Sequence, residues 1–226
     1  IKLTWHSVLL NFDEKEWDHI MAPALTVGLQ KANICGTMKR LFVYAPNKYL
    51  GFGLQNSHLT SFTKKLELLL KHHEMDDALE HALKVTLEDF KTELGVWDSP
   101  FTYDYEILGG CASPSWFKFI WQCCAKYKVE LVDPGPHLEK EHRKNDKLLM
   151  EYFYRVAAHP NHPYQISPSQ LATLNKCCKW LGATHLSHLC TADGLWITDD
   201  AYDGCKSILF QPPHSWPNQG KLPASA

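Results

Sequence analysis

Two Ser-Pro pairs, Ser113-Pro114 and Ser167-Pro168, stand directly before runs whose apolar residues recur at helical spacing. Serine accepts a hydrogen bond from the N–H groups that open a helix, and proline in the first turn lacks an N–H that would be orphaned there. The pairs predict helix starts ahead of SWFKFIWQCCAKY and SQLATLNKCCKWLGA, the second closed by Gly182. Similar punctuation runs through the chain. Asn11 or Asp13 is placed to cap EKEWDHIMAPALTVGLQKAN, in which Trp17, Ile20, Met21, Leu25 and Leu29 step by three and four, with a kink or restart expected at Pro23. Two helices are expected over 59–72 and 76–94, the second with Leu79, Leu83, Thr86, Leu87, Phe90 and Leu94 on one stripe and Gly95 as its stop. EKEHRKNDKLLMEYFYRVAA reads as a polar lead into a helix whose inner face is Leu148, Leu149, Tyr152 and Phe153.

Extended structure is minor. VELVDPGP suits one short strand, and Asp193-Gly194 with Asp203-Gly204 bracket LWITDDAY as a small β-hairpin. FQPPHSWPNQGKLPASA has too many prolines for regular structure. The expected fold is mainly α and bundle-like, divisible into helical subdomains at 1–95 and 113–210, with a hairpin near the C-terminus and an irregular tail at 211–226. A chain of 226 residues with 45% hydrophobic content can bury such cores.

The charge balance, 23 Lys and Arg against 25 Asp and Glu, gives no overall basic character, so any polyanion contact must be a local patch. No apolar run reaches the length of about 18 residues that a membrane helix needs, and the opening IKLTWHSVLL is too short and mixed for a secretory signal. The chain begins with Ile1 and stops after a proline-rich stretch, as expected of a segment of a longer polypeptide. Eight cysteines without a C-x-x-C suggest reduced thiols in an intracellular, nuclear or cytoplasmic protein. The neighbours Cys123-Cys124 and Cys177-Cys178 lie about 100° apart on a helix and suit neither a bridge nor one metal.

HHEMDDALEH, residues 72–81, could suggest metal chemistry. Paired carboxylates hold the two metal ions of nucleotide polymerases, but there the pair sits on a hairpin after an aromatic residue, whereas these flanks are helical. The H-E-x-x-H pattern started by His73-Glu74 is broken, because Asp77 stands where its second histidine belongs. Asp76 or Asp77 is better read as a helix cap in a first turn that favours acids. G-x-S-x-G, the P-loop and G-x-G-x-x-G are absent, and Cys111 has no base nominated by the sequence, so it reads as a structural thiol. Charge interleaved with aromatics remains: Lys39, Arg40, Lys48 and Tyr49 around the first loop; His142, Arg143, Lys144 and Lys147 ahead of a helix; Lys176, Lys179 and Trp180 on one helix. Such sets can hold phosphates and stack bases, although solvated helix faces have the same composition.

FVYAPNKYLGFGLQNSHLTSFTKKLELLLKH resembles a segment downstream of the polymerase palm in reverse transcriptase polyproteins of eukaryotic retrotransposons of algal and fungal type. Tyr44, Pro46, Gly51, Gly53, Leu54, His58 and Leu59 match that pattern, with Ala45 and Phe52 in place of glycines. Arg143, Asp146, Leu149 and Met150 are similar to its arginine-x-x-aspartate, leucine-methionine stretch. Asn175, Cys177, Leu181, Thr184, Leu186, Ser187, Asp193 and Gly194 are similar to its leucine-asparagine-x-cysteine helix, T-x-L-S turn and D-G turn. WPNQGKLPASA resembles a stretch near the ends of those proteins. The resemblance covers most of residues 17–226. It implies a thumb and connection-like region that grips a template-primer duplex of RNA and DNA. The catalytic aspartates and their Mg²⁺ would lie in an upstream palm, with no catalytic residue or cofactor in this part. A helical protein-interaction module and, further off, a metal-dependent hydrolase are the alternatives.

Overall fold

The computed structural model describes residues 8–73, 75–131 and 146–203, and these are mainly helical. The chain separates into two compact units between Glu80 and His81. The expected boundary at 95–112 lies inside the second unit, because that segment is itself packed. Leu108 is fully buried, Gly95 abuts Met150, and Trp121 Nε1 donates to the Tyr103 carbonyl at 3.1 Å.

In the first unit, α1 (Glu14–Lys31) opens with a capping box: Asp13 Oδ1 accepts from Glu16 N at 2.8 Å, and Glu16 Oε2 accepts from Asp13 N at 2.7 Å. It runs unbroken through Pro23, where a kink or restart was expected. Pro23 and His19 are both exposed, so the carbonyl that loses its helical partner can bond water. Leu25 and Leu29 pack with Val43 of α2 (Arg40–Tyr44), and Met21, Ile34 and Met38 close this small core. The helix α3 (Ser57–His72) is capped by Asn56 Oδ1, which accepts from Leu59 N at 3.1 Å. Its buried stripe is His58, Ser61, Phe62 and Lys65, while Leu70 of the leucine-rich end is exposed. Lys65 can be buried because its ammonium donates to the Val8 carbonyl at 2.5 Å and to Asn11 Oδ1 at 3.1 Å.

Asp77 caps α4 (Ala78–Leu94), its Oδ1 accepting from Glu80 N at 2.7 Å while Oδ2 meets His72 Nδ1 at 2.7 Å. The first of these bonds holds its carboxyl below the usual aspartate range. The paired aspartates therefore begin a helix, as their first-turn position implied. Of the expected stripe, Phe90 and Leu94 are buried, and the earlier residues are exposed or half-buried.

The second unit is built around α6 (Trp116–Tyr127), which contributes Phe117, Phe119, Ile120, Trp121, Cys123 and Cys124 to its core. Phe90 stacks on Phe117 with centroids 6.2 Å apart and meets Trp121 edge-on at 6.2 Å. The cap of α6 is Ser115, not Ser113. Ser115 Oγ accepts from Lys118 N, Pro114 lies outside the helix, and the Ser113 N–H donates to Glu93 Oε1 at 2.8 Å. Ser167 does cap α8 (Pro168–Leu181), in a capping box with Gln170, and Gly182 ends it in the left-handed conformation. Ahead of α6, α5 (Tyr105–Leu108) is one turn, and between α6 and α8, α7 (Leu149–Ala158) buries Leu149, Met150 and Val156. Tyr152, expected inside, faces out.

Among the described residues no strand forms. Val129–Leu131 is irregular, and the rest of the expected strand at 132–136 lies outside them. The expected hairpin contracts to one antiparallel bridge, Cys190 with Ile197, around a turn containing Asp193 and Gly194. Its outgoing strand is replaced by α9 (Asp199–Tyr202), which Thr198 caps. Among the described residues no helix is long and apolar enough to cross a membrane. The tail at 211–226 lies outside the described residues.

Candidate nucleic-acid interface

The helix α7 turns Tyr152, Arg155 and, just past its end, His159 toward one side at three- and four-residue steps. With Lys147 ahead of the helix and His162 beyond it they line an open cleft of about 460 Å³. A second cleft of about 450 Å³ continues past Val156 and His159 toward Ser167 and Gln170.

Two acids, Asp146 and Glu151, also line the first cleft, yet both serve the fold. Asp146 Oδ2 accepts from Ser187 Oγ at 2.5 Å, and its Oδ1 accepts from Ser187 N at 3.2 Å and Lys147 N at 2.9 Å. Burial opposes ionisation of Asp146, but these bonds outweigh it and hold its carboxyl below the usual range. Glu151 Oε1 accepts from Trp97 N at 3.1 Å and from Tyr103 OH at 3.3 Å. Burial and the Glu151 charge push the Tyr103 hydroxyl far up, so it stays a donor. Arg155 keeps most of its side chain in solvent, 77% exposed, with Nη2 3.8 Å from Glu151 Oε2. At that distance and exposure the pair is weak, and the guanidinium can engage an incoming anion. Tyr152 is half exposed beside it. At the far end, His159 Nδ1 accepts from Asn161 N at 3.3 Å, and His162 Nδ1 lies 3.0 Å from the Tyr164 carbonyl and 3.2 Å from Tyr164 N. The lining balances two hydrogen-bonded acids with two cations, and the outward Lys147 and Arg155 beside the exposed Tyr152 ring are the groups that can meet a phosphate and a base.

The ten residues nominated from sequence fare unequally. Lys147 lies in the cleft, and Arg143 and Lys144 fall outside the described residues. Lys176 is exposed on α8, with Trp180 half-buried on the same helix. Lys179 is buried and held 3.9 Å from Glu93, with burial pulling its ammonium pKa down, so it is a core residue and not a surface contact. The sequence placed it beside Lys176, but three residues on it turns into the core between Cys178 and the end of α4. Lys39, Lys48 and Tyr49 are exposed in the first unit, and Arg40 is half-buried with Nη1 enclosed. Arg155, His159, His162 and Tyr152 escaped the sequence reading, although the four-residue spacing of Lys147, Glu151, Arg155 and His159 was visible in it.

Burial pushes the Cys111 thiol up to about 11 and Cys178 up to about 12, opposite to what a thiolate nucleophile needs. Among the described residues no three His, Cys, Asp or Glu side chains are arranged to hold a metal ion. The class that fold and site define is a mainly helical, two-unit protein whose second unit carries an open polar cleft along one helix, lined by two acids, two cations and an exposed tyrosine. Comparison with protein-family models, with curated proteins and with solved structures finds no match to this chain.

Proposed function

We propose that this chain is a non-catalytic, nucleic-acid-supporting part of a retrotransposon RNA-directed DNA polymerase. On this reading it grips the RNA-DNA template-primer duplex, while an upstream palm supplies the catalytic aspartates and Mg²⁺. The observation that carries the reading is the α7 cleft, whose two acids are bonded to the fold while Lys147, Arg155 and Tyr152 face outward. Supporting it, residues that carry the resemblance meet in space. Asp146 binds Ser187, Leu149 N donates to the Thr184 carbonyl at 3.0 Å, and Asn175 sits at the centre of the second unit. Those residues build the platform, and the cations beside them do the holding.

The test is fluorescence anisotropy of a labelled RNA-DNA hybrid titrated with the full chain between about 50 and 200 mM salt. Each phosphate contact contributes a slope near −0.9 on log axes for B-form DNA, so Lys147→Ala with Arg155→Ala should flatten the slope by nearly 2. No binding at the lowest salt, or an unchanged slope, rejects the reading.

A second reading, a helical protein-interaction module, is favoured by one feature. The turn after Cys190 exposes Leu195, Trp196 and Ile197 at 75%, 72% and 63%. Replacing all three with serine should abolish any concentration-dependent sedimentation of the chain if that face joins two copies.

A further inference from the structure

Charge is unevenly distributed along the chain. Between His19 and Leu66 there is no Asp or Glu, while Lys31, Lys39, Arg40, Lys48, Lys64 and Lys65 all fall there, in a protein whose formal net charge is −2. Lys65 is buried, Lys64 pairs with Glu67 at 2.5 Å and Arg40 is half-buried, which leaves Lys31, Lys39 and Lys48 as the exposed cations of this segment. The first unit as a whole is balanced, with nine acids against nine bases over residues 1–80, so the positive field is local to the acid-free segment that carries Lys39 and Lys48.

Inside that field stands a rigid loop with an apolar tip. Leu50 is 91% exposed and Tyr49 68%, the reverse of where a folding chain places such side chains. The loop holds them there by main-chain bonds: Tyr49 N and Gly51 N to the Pro46 carbonyl, Gly53 N to Ala45, and Phe52 N back to Phe42 of α2. Packing is so close that a Cβ on Gly51 would lie 2.0 Å from the Ala45 oxygen. Leu50 itself takes a left-handed φ of 61°, a conformation that disfavours a branched side chain. A strained, fully exposed leucine on a stiff loop marks a contact made with something outside the unit.

We propose that the Tyr49–Leu50 tip is a wedge for unpaired or frayed nucleotides, stacking against a base where a duplex opens into single strand. Positive charge selects a polyanion, and a ring with a leucine selects one with exposed flat apolar faces. A single-stranded nucleic acid offers both. An anionic lipid surface also combines charge with apolar matter, but Lys48 argues for the nucleic acid. Its ammonium lies over the Tyr49 ring, 4.8 Å from the centroid, at the very tip. Insertion into acyl chains would bury that charge, whereas a base on the tip leaves it beside the adjoining phosphate. The inference deepens the proposed function and rests on it: the tip contacts an unpaired nucleotide of the nucleic acid that the chain is proposed to grip.

The experiment compares the full chain on two RNA-DNA hybrids, one blunt and one with a single-stranded template overhang carrying 2-aminopurine at the first unpaired position. The overhang hybrid should bind more tightly and its 2-aminopurine emission should change. Tyr49→Ala combined with Leu50→Gly should weaken overhang binding roughly tenfold while blunt affinity stays. Because glycine relieves the left-handed strain and both side chains are exposed, the variant should melt no lower than the parent. Equal affinity of the parent for both hybrids, or a preference that survives in the double variant, overturns the wedge alone. Uptake on phosphatidylserine vesicles that the double variant loses, without an overhang preference, assigns the tip to lipid and also overturns it. If neither hybrid binds, the proposed function falls and the wedge with it.

Discussion

Asn175 offers the sharpest test of how the second unit is held. Its residue exposure is 2%, and its Nδ2 donates to two main-chain carbonyls, Glu93 at 3.1 Å and Cys111 at 3.2 Å. One amide thus ties α8 to the end of α4 and to the turn after α5. In Asn175→Leu the volume is nearly kept, so packing loss is small and two carbonyls lose their donor. A buried carbonyl left unpaired costs about 1–3 kcal/mol, which applies to Cys111, and the partly buried Glu93 carbonyl adds about 1. The expected loss is about 2–4 kcal/mol. At about 3 °C per kcal/mol for a chain of this size, the thermal midpoint should fall by roughly 6–12 °C. Circular dichroism melting at neutral pH reads this directly, and hybrid affinity measured well below the midpoint should be unchanged. A leucine variant that melts within about 1 °C of the parent would refute the claim that these two bonds hold the unit.

Gly51→Ala should open the first-unit loop, because its Cβ would collide with the Ala45 carbonyl; hydrogen exchange at Phe52 and Gly53 amides should accelerate while Asn175-linked amides stay protected. Stability should fall on the alkaline side: the buried thiols Cys111 and Cys124 near 11 and Cys178 near 12 keep their protons when folded but lose them from about pH 9 when unfolded, so their contribution is whole below pH 9 and disappears as pH climbs through 11–12. Denaturant melts across pH 8–11 check this, and a flat profile contradicts it. Asp146 acts in the opposite direction: its depressed pKa stabilises the fold above the unfolded value of 3.8 and is lost as pH drops below it, so Ser187→Ala should shrink the difference in stability between pH 6 and pH 3. Lys179→Gln should leave hybrid affinity within about twofold of the parent, whereas Lys147→Ala should lower it and reduce its salt dependence; equal losses would place Lys179 on the surface after all.

Local signals carried the helices, since a cap, a period and a stop each act within a turn. Asp13, Asp77 and Ser167 cap where the residues said a helix should start, and Gly182 and Gly95 both take left-handed backbone at helix ends. Where the reading failed, a distant group had intervened. The cap of α6 is Ser115 where Ser113 was expected, and the Ser113 N–H instead bonds Glu93, 20 residues away. The boundary at 95–112 vanished because Met150 and Trp121 pack against that segment. Only part of the interface was visible in the same way. Lys147 was found from its charge, but the acids beside it are bonded to Ser187 and Tyr103, over separations of 41 and 48 residues.

The chain by itself determined its mainly helical character, most helix starts and stops, and a local rather than general positive charge, because these follow from neighbours a few residues apart. Which charges face water, which are locked in the core, as Lys65 and Lys179 are, and which side chains share one cleft were decided by tertiary packing. Burial and hydrogen-bond partnership depend on groups brought together across tens of residues, and periodicity does not encode that pairing.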